Sequence, residues 1–117
     1  MGPDLDRSMK VAIDASMFTR EGGSFGRVGG YLDLPCEPQG GDTVSFIFPI
    51  NKTVMPLPWF NGLLRVEHRL ITPIGAGHDV SVMLEDITVD TISQANALNE
   101  YLTIGFGLDV AVWGSAA

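Results

Sequence analysis

The sequence predicts an α+β domain that is mainly β: a small antiparallel barrel or curved sheet of about six strands, with one amphipathic helix at about 91–104 before the last strand. Three observations predict it. Apolar and polar residues alternate with a period of two along most of the chain, the pattern of half-buried strands. A single late segment changes to a spacing of three and four, the pattern of one helix face. Glycine- and proline-rich turns separate the alternating segments.

The first strand covers residues 9–19, with Val11, Ile13, Ala15 and Met17 on one face and Lys10, Asp14 and Ser16 on the other. Glu21-Gly22-Gly23-Ser24 turns the chain, because paired glycines accept positive φ. The second strand, 25–34, turns Val28, Leu32 and Leu34 inward, and Gly29-Gly30 marks a bulge or a close backbone approach. After the turn Pro38-Gln39-Gly40-Gly41-Asp42, residues Val44, Phe46 and Phe48 alternate until Pro49 ends the third strand. The fourth, 63–72, places Leu64, Val66 and Leu70 on one face and Arg65, Glu67 and Arg69 on the other. The fifth begins at Asp79 with Val80, Val82 and Leu84 inward, and its parity shifts to Ile87 and Val89, which predicts a bulge near Glu85-Asp86. Ile92, Ala95, Leu98 and Leu102 form the helix stripe. Thr91 and Gln94 stand at capping-box spacing, and Gly105 is placed to stop the helix. Leu108, Val110 and Val112 make the last strand.

A chain of 117 residues holds one domain, 9–114, preceded by a flexible tail or expression remnant at 1–8, with Met9 a candidate natural start. Acidic residues number 14 and basic ones 7, a net charge of −7, which disfavours nucleic acid and anionic membrane as partners. The N-terminus lacks the basic and apolar regions of a signal peptide, and no run reaches the roughly 18 apolar residues of a membrane span. These features predict a soluble, cytoplasmic protein. Asn51-Lys52-Thr53 matches a glycosylation sequon and reads, without a secretory signal, as a chance match in a polar loop.

Cys36 is the single cysteine, so an intramolecular disulfide and a four-cysteine zinc site are excluded. It lies beside Glu37 in a turn, a setting that disfavours a thiolate. His68 falls by parity on the apolar face of its strand, the position of a core histidine with hydrogen-bonded nitrogens. His78 beside Asp79 lies in a glycine-rich turn that reads as a solvated turn, a weak acid/base pair or a metal corner, and a hairpin could bring it near His68. The pattern supplies no third metal ligand and no calcium loop. The glycine-rich run 21–30 contains no lysine and joins two strands, so it is not a phosphate loop. No motif of a known catalytic nucleophile is present. No catalytic residue, metal or cofactor is therefore assigned.

The most unusual segment is Thr53-Val54-Met55-Pro56-Leu57-Pro58-Trp59-Phe60-Asn61-Gly62. It is apolar, its prolines forbid a central strand, and it lies in the longest connection, 51–62. Met55, Leu57, Trp59 and Phe60 have the composition of a contact hot spot; the competing reading folds Trp59 and Phe60 back as a lid on the core.

The layout of strands, with Pro and Gly-Asp before Thr43-Val44-Ser45-Phe46 and a late helix, resembles PilZ-type barrels over about 26–104. Those domains bind cyclic di-GMP through R-x-x-x-R and D/N-x-S-x-x-G motifs. Asp14-Ala15-Ser16 supplies half of the second, but Thr19 stands where glycine should be. The basic residues upstream are Arg7 and Lys10, and Arg65 to Arg69 matches the first motif on the wrong side. The resemblance therefore implies a version that does not bind the nucleotide. Two expectations follow: a non-enzymatic interaction or adaptor module that meets a protein partner or its own copy through the Pro/Trp/Phe loop, or a small-ligand or enzymatic site using His68, His78 and Asp79.

Overall fold

A computed structural model describes residues 9–71, 73, 75, 77 and 80–112. The tail 1–8, His78, Asp79 and the end of the chain lie outside them. The strands are β1 (Met9–Thr19), β2 (Gly23–Leu34), β3 (Thr43–Ser45), β4 (Leu63–Leu70), β5 (Val80–Leu84), β6 (Ile87–Val89) and β7 (Asp109–Val112), with helix α1 (Ile92–Phe106) before β7. The fold is thus α+β and mainly β, with the helix where the periodicity places it.

Among the described residues, seven strands form one curved, unclosed sheet in the order β3-β4-β5-β1-β2-β7, with β6 also on β1. The count exceeds the expected six because the fifth segment breaks at Glu85-Asp86 into β5 and β6. Asp14 faces Met83 and Met17 faces Ile87, so three steps along β1 match four along β5–β6. The extra residue is the parity shift read from the sequence.

The sheet is mixed rather than antiparallel throughout. β1 pairs antiparallel with β2 but parallel with both β5 and β6. A short turn forces antiparallel pairing, whereas the long path from β2 to β5 leaves the chain free to return parallel.

Glycine positions shape the ladder. The bulge in β2 lies at Phe25, between the pairs Met17–Gly26 and Phe18–Ser24, not at Gly29-Gly30. Gly30 instead allows close approach, since a Cβ there would lie 3.1 Å from Leu108 Cδ2. Gly26 is the tighter case: a Cβ would lie 2.2 Å from the Ala111 carbonyl oxygen, so β7 can pair here because the position is bare.

α1 covers one face of the sheet with Ala95, Leu98, Tyr101, Leu102 and Phe106, against β1, β2, β6 and β7. Ile92, the first helical residue, does not join this stripe and is exposed. The Thr91 hydroxyl accepts from Gln94 N–H at 3.1 Å, and Gln94 Oε1 accepts from Asp90 N–H at 2.8 Å. The helix ends at Gly107, φ 73°, two residues past the expected Gly105. A further helix contact comes from the β1–β2 turn, where Glu21 Oε1 accepts from Ile92 N–H at 2.6 Å. That carboxylate faces the positive end of the helix dipole from 71 residues away in sequence. No helix among the described residues is long and apolar enough to cross a membrane.

Candidate functional site

The long connection begins earlier than its composition suggests. β3 ends at Ser45, so residues 46–62 join it to β4. Phe46 still points into the core, but its N–H donates to the Gly62 carbonyl at 2.6 Å and its own carbonyl accepts from the Tyr101 hydroxyl at 2.5 Å. Both backbone groups are thus engaged outside the β3–β4 ladder. Phe48, expected on the inner row, is instead 83% exposed.

Three anchors then hold the connection on α1. Asn51 N–H donates to the Gly105 carbonyl at 3.0 Å. A Cβ on Gly105 would lie 2.9 Å from Val54 Cγ2 and 3.3 Å from Pro49 Cβ, so the connection crosses the helix over a bare position. Glycine inside a helix costs about 1 kcal/mol relative to alanine, and here that cost permits the close crossing. The third anchor is aromatic. Phe60 meets the Tyr101 ring edge-on at 6.1 Å, Tyr101 meets Phe106 at 5.6 Å, and Phe106 meets Phe46 at 5.0 Å. Burial holds the Tyr101 hydroxyl above its ordinary pKa of 10.0.

The apolar side chains of the connection divide into two rows. Val54, Leu57 and Phe60 are half-buried against the core. Phe48, Ile50 and Met55 face solvent at 83%, 72% and 78% exposure. Trp59 stands between the rows at 39% and, with Phe60, walls a cleft against Ile87 and Thr88 of β6. The four residues expected at the contact surface are therefore not equivalent: Met55 and Trp59 look outward, whereas Leu57 and Phe60 bind the loop down. Phe48, Ile50 and, on the helix, Ile104 extend the exposed row. The alternating letters run past the real end of β3, which hides Phe48 among the inward residues.

His68 is exposed, not in the core. β4 carries a bulge between Val66, which faces Leu84, and His68, which faces Met83. The extra residue, Glu67, reverses the parity and sends His68 to the outer face. Leu70 is exposed for the same reason. Arg69, opposite the buried Val82, is partnered by Glu37 at the sheet margin, and Arg65 pairs with Glu67 at 3.0 Å. No cluster of three or more His, Cys, Asp or Glu side chains occurs among the described residues.

A cavity of about 460 Å³ lies between the end of β2 and β3, lined by Leu34, Cys36, Asp42 and Val44 among others. No histidine among the described residues lines it. A second hollow, of about 330 Å³, runs between residues 53–57 and α1, with Met55 and Leu57 on one wall and Ala97, Glu100 and Ile104 on the other.

Comparison with protein-family models, curated proteins and solved structures finds no match to this chain.

Proposed function

We propose that the chain is a non-enzymatic interaction module of the cytoplasm, which meets a protein partner or its own copy through the 46–62 connection and the adjoining side of α1. The observation that carries the reading is the division of one connection into a row fastened to the core and a row turned outward. Scattered exposed apolar residues are normal on any surface. Phe48, Ile50 and Met55 are instead concentrated on a single segment that is hydrogen-bonded and packed in place. A surface held in shape before contact loses less conformational freedom on binding. The small-ligand alternative, including a PilZ-like barrel, has less behind it, since His68 is exposed and no histidine among the described residues lines the cavity beside Cys36, while His78 and Asp79 lie outside those residues.

The test is retention of a stoichiometric protein, the chain's own copy included, by immobilised wild type and by a Phe48→Ser, Met55→Ser double variant. The variant is expected to keep the wild-type circular dichroism and to lose the retained protein. Equal retention by a folded variant would reject this surface.

A further inference from the structure

The occupant of this surface follows from the charges around it. Among the described residues, four of the basic side chains are in ion pairs: Arg20 with Asp90, Arg27 with Asp14, Arg65 with Glu67 and Arg69 with Glu37. Lys10 lies over the Tyr31 ring. Lys52 is the one basic side chain in this group without such a partner, and it stands exposed in the connection between Ile50 and Val54. Across the hollow, Glu100 is the single charged residue of α1, and it too has no ion-pair partner among the described residues. On a chain of net charge −7, the exposed apolar row is thus bordered by one unpaired base and one unpaired acid. A surface with that balance is complementary to itself. A two-fold axis makes every contact reciprocal, so Lys52 on one copy would meet Glu100 on the other, and the same pair would form again across the axis.

We propose that the partner is a second copy of this chain, in an isologous dimer whose apolar centre is the Phe48, Ile50 and Met55 row and whose rim carries the Lys52–Glu100 pair twice. This deepens the reading above and rests on it. An acidic protein tends to repel its own copy, and on this face one unpaired base stands beside the unpaired acid. Rim charges guide encounter and orientation while the apolar centre holds the complex.

The experiment is sedimentation velocity over a concentration series for wild type, Lys52→Glu, Glu100→Lys, the double swap, and an equimolar mixture of the two single variants. Wild type is expected to dimerise. Each single variant places like charges across both contacts and should self-associate about tenfold or more weakly. The double swap should regain wild-type association. The mixture should also associate, because both contacts of a mixed dimer join opposite charges. The carboxylate introduced by Lys52→Glu faces the ammonium introduced by Glu100→Lys, and the native Lys52 of one chain faces the native Glu100 of the other. General charge repulsion would instead move the two single variants in opposite directions, since one makes the chain more acidic and the other less. Opposite shifts, an inert mixture, or a wild type monomeric at every concentration would each overturn the dimer. A monomeric wild type that still loses a different retained protein on Phe48→Ser, Met55→Ser substitution would leave the surface standing and reject the second copy. If that variant also changes nothing, both fail.

Discussion

Tyr101 ties the connection to the helix through one hydroxyl. It donates to the Phe46 carbonyl where the chain leaves the sheet, and its ring carries Phe60 on one side and Phe106 on the other. Tyr101→Phe keeps the rings and leaves that carbonyl without its donor, so a loss of about 1–2 kcal/mol is expected in urea unfolding at neutral pH. The sign with pH follows from burial, which raises the pKa in the folded state. The unfolded chain ionises first, so the tyrosine's contribution is complete below pH 10.0 and declines as pH climbs from there toward the folded value. Unfolding curves from pH 8 upward should fall more steeply for wild type than for Tyr101→Phe; parallel curves would show that the hydroxyl is not buried as described. Spacing alone could not reveal this residue. The helix stripe is visible in Ala95, Leu98 and Leu102, but Tyr101 reads equally well as an exposed aromatic until the connection is placed on top of it. His68 illustrates the same limit, since one extra residue at Glu67 reverses a parity that the letters carry straight through.

At the scale of the element, the connection and α1 form one packed unit, with Gly105 as the crossing point. The sequence marks Gly105 as a helix stop, yet Gly107 ends the helix and Gly105 is buried inside its last turns. A glycine near a helix end carries the same signal whether it terminates the helix or clears a path for another segment. Gly105→Val would drive a branched side chain into Val54 and Pro49. The expected result is limited proteolysis within 49–57 at least about tenfold faster than in wild type, with the sheet still folding cooperatively. Unchanged cleavage would mean that the strap does not depend on this crossing. β1, β2 and the helix start were legible because turn chemistry and period two act locally. β5 and β6 on β1 were not, because parallel pairing depends on where a long connection returns, and that is set by burial of the whole sheet face.

For the whole molecule, the open sheet buries its inward rows under one helix, and the same connection that completes the core also supplies the outward apolar row. The turn and strand pattern sets the fold class. Which aromatic faces in and which faces out is decided by hydrogen bonds at Phe46, Asn51 and Gly62, residues whose letters carry no such signal. Three phenylalanines in this stretch give an internal scale: Phe46 is 1% exposed, Phe60 half-buried and Phe48 83% exposed. Hydroxyl-radical footprinting of the wild-type protein, read at Phe46, Phe48, Met55 and Phe60 in dilute and concentrated samples, tests the account most directly. In the dilute sample oxidation should rank Phe48 above Phe60 and Phe60 above Phe46, and at concentrations where copies associate Phe48 and Met55 should become protected while Phe60 stays unchanged. Phe48 as protected as Phe46 when dilute, or Phe48 and Met55 equally oxidised at every concentration, would contradict it.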